Sequence, residues 1–287
     1  MGRSSVGAAV PSPAGAPLCC RMTLTRALAS ELVRLRRSPL VPLHLVLGLG
    51  LGLAAGLYFG LTPWDSLLGT DAFFQLLGAG APLLTGISCG LSVEAECEAG
   101  EAVNLLGVPS RCVTVTAKGV ALLLLGTGAA ALAAATFAGV MAACGRALPD
   151  TGTLTAAALC VAAGSVGLYA PGLAVALRWG RNAAIGLGAV GFLVALASLG
   201  GLANGLVTGT LSGGFAAQLT AWIPFTWPAR LASLAVELSL AAGGPQAAEL
   251  VQAAQVVAVT CAVMTAVGVA AGLAAVNRFE DRRRSGD

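Results

Sequence analysis

The chain has 287 residues, of which 57% are hydrophobic and 10% charged, with a mean hydropathy of +0.86 and a formal net charge of +3. Soluble domains carry about 25% charged residues, so a water-soluble fold is excluded and the bilayer must solvate most of the surface. So small a net charge leaves no footprint for nucleic acid.

Residues 1–22 are mostly Gly, Ala, Ser and Pro and lack the apolar core of a secretory signal. A disordered extension is expected there, with Met22 as an alternative start. Residues 23–39 read as a basic amphipathic helix. Leu24, Leu28, Leu32 and Leu35 share one face, Arg26, Arg34, Arg36 and Arg37 fall largely elsewhere, and Pro39 ends it. Such a helix is either a topology anchor on the inner leaflet or the elbow helix that precedes the first span of certain exporters.

Uncharged apolar runs then predict transmembrane spans over 40–61, 72–93, 119–145, 154–177, 183–202 and 253–276. In the first span Gly48, Gly52, Gly56 and Gly60 recur at every fourth position and form a smooth strip. It suits close helix packing inside the bundle or a subunit interface. His44, the single histidine, is expected to be packed near the interface rather than to relay protons. No acidic residue falls deep within a run, which argues against coupling to a proton or sodium gradient.

The most polar stretch lies between the second and third spans. Glu94, Glu96, Glu98 and Glu101 crowd into eight residues, followed by Asn104, Leu105, Leu106 and Arg111. Glu94, Glu98 and Glu101 would share one helix face. The stretch is either a solvated loop or a coupling helix that docks on a cytoplasmic ATPase, with Leu105 and Leu106 as apolar plug and the glutamates as rim. Arg178 and Arg181 occupy a very short loop between the fourth and fifth spans. They serve as a topology signal or as a contact for the ATPase or lipid phosphate.

No charged residue occurs between Arg181 and Arg230. One helix of that length would reach about 70 Å at 1.5 Å per residue, far beyond a bilayer, so it must break. Glycine clusters supply the break. The following segment, with Trp222, Pro224, Trp227 and Pro228, suits the interface or a re-entrant turn. Residues 229–240, which carry Arg230 and Glu237, read as a helix lying at the surface. With six spans, Arg146 and Arg230 fall on one side and the other fourteen of the 16 lysines and arginines on the opposite side. By the positive-inside rule both termini, including the basic tail 278–287, face the cytoplasm.

Catalytic constellations are missing from the sequence. Eight cysteines show no CxxC spacing, and one histidine excludes HExxH and most metal sites. The sole lysine, Lys118, lies in no GxxxxGK[ST] signature, so this chain binds no ATP by that route. No catalytic, cofactor-binding or metal-ligating residue is assigned.

Four stretches carry a family resemblance. They are Glu31 to Leu40 with Leu43-His44, Gly86 to Glu96 with Asn104-Leu105-Leu106 and Lys118, Arg178 to Gly188, and Ile223 to Arg230. In this order they resemble the membrane subunits of lantibiotic-immunity ABC transporters, permeases of the ABC-2 type. The sequence departs from the pattern at Ala95 and Cys97 and in a long insert around 208–214. The resemblance implies an all-α integral membrane protein of six spans, with an elbow helix and an extracellular re-entrant segment before the last helix. It implies two permease subunits, identical or paralogous, on two copies of a cytoplasmic ATPase that holds ATP and Mg. The segment after span two would be the coupling element, and Trp222 to Pro228 an extracellular motif. The cargo would be a lantibiotic-like amphipathic peptide expelled from the bacterial plasma membrane. Export of another cargo, such as a drug or lipid, and a non-catalytic scaffold are the alternatives.

Overall fold

The computed structural model describes residues 23–100, 110–199, 221–242, 244 and 246–278. The N-terminal extension, Glu101, Asn104, Leu105 and Leu106, the 208–214 insert and the tail beyond Arg278 lie outside them. The described residues are helical with no strand, and six helices are long and apolar enough to cross a membrane. The chain is an all-α, multi-pass membrane protein.

The elements in order are α1 (Leu24–Leu35), α2 (Leu40–Leu61), α3 (Ser66–Gly100), α4 (Arg111–Ala143), α5 (Thr151–Trp179), α6 (Arg181–Ser198), a 3₁₀ turn (Pro224–Thr226), α7 (Trp227–Leu240) and α8 (Ala247–Arg278). Thr23 caps α1 by accepting the Arg26 N–H at 3.4 Å. The chain turns at Ser38, where the following Pro39 disfavours further helix. α2 spans the 40–61 predicted. At about 33 Å it matches the hydrocarbon thickness.

α3 and α4 extend well past their apolar runs. Glu94, Glu96 and Glu98 sit on the last turns of α3 rather than in a loop or a separate coupling helix. α5 starts at an Asp150 cap, whose Oδ2 accepts the Thr153 N–H at 3.0 Å. α5 and α6 are separated only by Gly180, with φ +87°. Other residues avoid that conformation, so the glycine sets the reversal.

Small residues govern the packing. α2 lies on α4 through the glycine strip. A methyl group at Gly48 would come within 2.8 Å of the Ala129 carbonyl, and one at Gly60 within 2.8 Å of Cys144 Sγ. The strip is therefore used inside the chain, and a subunit interface through it is not available. α3 crosses α6 at Gly86 and Gly188 in the same way. Phe73 stacks on Phe137 at 4.1 Å between α3 and α4, with Phe59 and Met141 beside them. Leu45, Val46, Leu49 and Leu53 of α2 and Val259, Val263 and Val267 of α8 stay exposed, as lipid-facing side chains do.

The helix expected at the surface is not there. α7 is inserted among α3, α5 and α8, and Arg230 and Glu237 are 2% and 0% exposed. Glycines on two helices let it in. A methyl at Gly164 would meet the Pro228 nitrogen at 2.6 Å, and one at Gly78 the same residue's carbonyl carbon at 2.6 Å. Its polar groups find partners on α3. Ser233 Oγ donates to Asp71 Oδ1 at 2.7 Å, and Gln75 Nε2 donates to Asp71 Oδ2 at 2.8 Å and to Ser233 Oγ at 3.1 Å. Arg230 donates to the Ser198 carbonyl at the end of α6. Internal partners, absent from any local sequence pattern, make burial of this helix possible.

Candidate functional site

The polar end of α3 meets α1 and the start of α4 in a buried ionic cluster. On α1, Ala27 and Glu31, one turn apart, are buried and Arg34 lies at the edge of the same face, while Leu24, Leu32 and Val33 remain exposed. The leucine stripe is thus split: Leu24 and Leu32 are free to lie in lipid, while Leu35 packs on the core beside Leu40 and the polar contact falls to Glu31 and Arg34. Lys118 Nζ sits between two carboxylates, 2.9 Å from Glu31 Oε2 and 3.0 Å from Glu96 Oε1. It also reaches Ser92 Oγ at 3.3 Å. Arg34 closes the ring, with Nη1 at 2.6 Å from Glu96 Oε1 and 3.3 Å from Glu31 Oε1.

Lys118, Glu31 and Glu96 are buried, and Arg34 is half exposed. Two carboxylates face two cations, so the cluster is neutral. Desolvating these ions is tolerated only because each has a close counter-ion with hydrogen bonds. Losing any one strands another. The cluster therefore holds three segments in a fixed relation: α1, the acidic end of α3 and the first turns of α4. A cavity of about 310 Å³ lies over it, bordered by Arg37, Ser38 and Ala99.

The residues singled out in the sequence separate into distinct places. Glu96 is an internal ion-pair partner and offers no rim to another protein. Glu94 pairs with Arg181 Nη1 at 2.7 Å, tying the end of α3 to the start of α6, and both side chains are partly exposed. Glu98 and Arg178 are exposed, and Arg111 is partly buried. Glu101, Asn104, Leu105 and Leu106 fall outside the described residues. Trp222 is exposed and Pro224 partly buried, whereas Trp227 and Pro228 are buried midway along the bundle, where Pro228 packs on Gly164 of α5. Trp227 Nε1 donates to the Ala221 carbonyl at 2.7 Å, which anchors the entry to α7. His44 is buried. Its Nδ1 donates to the Leu40 carbonyl at 2.7 Å and its Nε2 faces Ser88 Oγ at 3.3 Å, the contacts of a packed histidine.

Two features escape sequence reading. Glu31 looks like one more polar residue of an amphipathic helix, and only its i+3 relation to Arg34 hints at pairing. Asp71 and Gln75, spaced i, i+4 at the head of an apolar run, match Arg230, Ser233 and Glu237, spaced i, i+3, i+7. These spacings show a polar stripe on each helix but not that the stripes meet.

A larger cavity of about 470 Å³ lies among α2, α3, α4 and α5. Three hydroxyls in its wall are bonded to backbone carbonyls: Thr127 to Leu123 at 2.8 Å, Ser165 to Val161 at 2.7 Å and Tyr169 to Leu122 at 3.3 Å. With these donors satisfied and leucine, alanine and glycine around them, the cavity suits hydrocarbon. No group of three metal-ligating side chains occurs among the described residues. Comparison with known protein families and with curated proteins finds no match to this chain.

Proposed function

We propose that this chain is the membrane subunit of an ATP-driven ABC-2-type exporter that protects a bacterial cell by expelling a lantibiotic-like amphipathic peptide from its plasma membrane. The observation that carries this reading is the buried ring of Glu31, Arg34, Glu96 and Lys118. A membrane helix needs no such ring to cross lipid. A lever that transmits force from a motor needs one, because the elbow helix and two span ends must move together.

In this reading both termini and the ring lie in the cytoplasm, as the distribution of arginines requires. A separate ATPase subunit holds ATP and Mg and docks on the surface beyond α3, where Glu98 and Arg178 are exposed. Glu94, Glu96 and Arg181 act behind that surface by holding it in place. A second permease subunit completes the path, and the apolar cavity supports a cargo with hydrocarbon side chains. The cavity also favours a second reading, export of another apolar cargo such as a drug or lipid.

Expression in a lantibiotic-sensitive host, with and without the candidate ATPase, separates these readings. Tolerance that rises only when both are present, and is lost with Lys118→Met in a stably inserted protein, is the expected result. Equal tolerance with and without an ATPase that copurifies with the chain would remove the immunity reading. ATP-dependent loss of a dye or lipid instead would select the second.

A further inference from the structure

α2 packs chiefly on α4 and α3 on α6, so a gap stays open between α2 and α3, floored by α4 and α5. The apolar cavity of about 470 Å³ occupies this gap. Its rim includes Leu47 of α2 and Leu76 of α3, which are 45% and 37% exposed. Val46, Leu49 and Leu53, beside Leu47 on the same helix, face lipid. The mouth therefore opens sideways into hydrocarbon rather than toward water. No acidic or basic side chain is part of the wall among the described residues.

The depth of the cavity is that of one leaflet. On α2 its wall runs from Leu43 to Leu51, about 4.5 to 16.5 Å below the start of the helix at about 1.5 Å per residue. Half of a hydrocarbon core of about 30 Å is about 15 Å. The cavity thus begins just beneath the headgroups on the α1 side and stops near the midplane. Arg36 and Arg37 precede α2 at that same surface, exposed and in no ion pair among the described residues, where they suit lipid phosphates. The wall itself offers nothing to water. Thr127, Ser165 and Tyr169 direct their hydroxyls to carbonyls, Thr85 faces the Tyr169 hydroxyl, and no buried polar side-chain atom of the wall lacks a partner among the described residues. Ordered water needs several such partners. A dry void forfeits the dispersion contacts of its walls, and in a bilayer the apolar group in greatest excess is the acyl chain.

We propose that this cavity is a lipid site that holds one acyl chain of a phospholipid from the leaflet adjoining α1, with the chain inside the bundle and the phosphate outside it near Arg36 and Arg37. The chain enters sideways past Leu47 and lies against Gly80, Ser165 and Tyr169. It differs from lipid at the outer surface in being enclosed by four helices, and it props α2 apart from α3. An apolar cargo of the kind proposed above would displace this chain on entry; the lipid site itself does not rest on that reading.

Photolabelling of the full-length protein in vesicles of phosphatidylcholine and phosphatidylglycerol tests this, with a phosphatidylcholine that carries a diazirine in one acyl chain. No ATPase is present, so the outcome is separate from that of the exporter reading. Light-dependent adducts located by peptide mass are expected on Ser165 and Tyr169, each 6% exposed, as well as on lipid-facing valines of α8 such as Val259. Gly80 lines the cavity, and an added methyl there meets nothing within 4 Å. Gly80→Leu should fill the space and abolish the Ser165 and Tyr169 adducts while leaving those on α8. Gly50→Leu, on the open face of α2, is the control and should leave both sets. Wild-type adducts confined to exposed residues overturn the proposal. So do Ser165 and Tyr169 adducts that persist in Gly80→Leu. If that variant fails to insert, Leu47→Trp narrows the mouth from the lipid side, and undiminished labelling of Ser165 overturns the proposal equally.

Discussion

Two buried ionic clusters lie about 38 Å apart along α3, given 1.5 Å per residue between Asp71 and Glu96, and they are built on different principles. At the Glu96 end two carboxylates meet two cations, each carboxylate within 3.0 Å of a nitrogen. At the Asp71 end the close contacts of the carboxylate are to a hydroxyl and an amide. The first arrangement fixes a geometry, because removal of any member leaves an uncompensated charge. The second rests on hydrogen bonds from neutral groups, which an uncharged acceptor can still receive. A rigid junction at one end and an adjustable one at the other is what a bundle needs if force enters at the first and α7 moves at the second.

The largest effect is expected from breaking the balanced cluster. Lys118→Met leaves Glu31 and Glu96 buried with only the half-exposed Arg34, and breaking a buried pair costs about 3–5 kcal/mol. Thermal or denaturant unfolding in detergent measures this. Adding Glu31→Gln and Glu96→Gln in the same chain should restore much of the loss. At the other cluster Asp71→Asn keeps an acceptor for Ser233 or Gln75, so its cost should stay under about 1.5 kcal/mol. Equal losses for Lys118→Met and Asp71→Asn would abolish the distinction between the two ends.

Next comes the seating of α7. Gly78 and Gly164 admit the backbone of Pro228 and Ala229, and backbone cannot give way as a side-chain tip can. Gly164→Ala should destabilise by about 1–3 kcal/mol through overpacking. Gly50→Ala, where an added methyl meets nothing within 4 Å, is the matched control and should be neutral by the same assay. A Gly164→Ala protein as stable as the control would mean that α7 is not packed as closely as this.

The outline of the bundle was legible because hydropathy and bilayer thickness fix where a chain can cross. α2 occupies the residues predicted, since Pro39 and the Thr62-Pro63 pair bound its run. The ends of α3 and α4 were not legible as continuations of their spans, the acidic stretch reading as a solvated loop or as a coupling helix. Their charged turns look like loop until Glu96 finds Lys118, and hydropathy records only that both are charged. Lys118 entered the sequence reading as a lysine outside any nucleotide-binding signature and as one residue of a resembling stretch, with no ion-pair role, yet it is the centre of the cluster. α7 was misplaced for the same reason. Arg230 and Glu237 mark a surface helix unless a partner exists inside, and Ser233 lies 162 residues from Asp71 in the chain. Periodicity gives each helix its polar stripe; only tertiary contact says which stripes face each other.

Smaller effects test whether exposure, rather than charge itself, separates the clusters from the rest. Arg181 and Glu94 are as close as the buried pairs, at 2.7 Å, but their side chains are 43% and 31% exposed. Water and salt screen such a pair, so Arg181→Ala should cost about 0.2–1 kcal/mol and the cost should shrink as salt is added. A loss as large as that of Lys118→Met would show that distance, not burial, sets the strength.

Asp150 is the limit of this series, a fully exposed carboxylate with no counter-ion among the described residues. The Thr153 hydroxyl and backbone N–H bonded to it, at 2.6 Å and 3.0 Å, hold its carboxyl below the usual carboxylate range. A depressed value in the folded state means that its contribution is complete above the ordinary carboxylate pKa. It fades as pH falls through the depressed one. Asp150→Asn keeps the cap but carries no titrating group. The wild type should therefore lose stability relative to Asp150→Asn on acidification through the carboxylate range, and the two should run parallel above it. Because the group is in water, the divergence should be small. If the two proteins instead run parallel through the acid range as well, the Thr153 bonds do not favour the charged carboxylate, and the cap acts through its geometry alone.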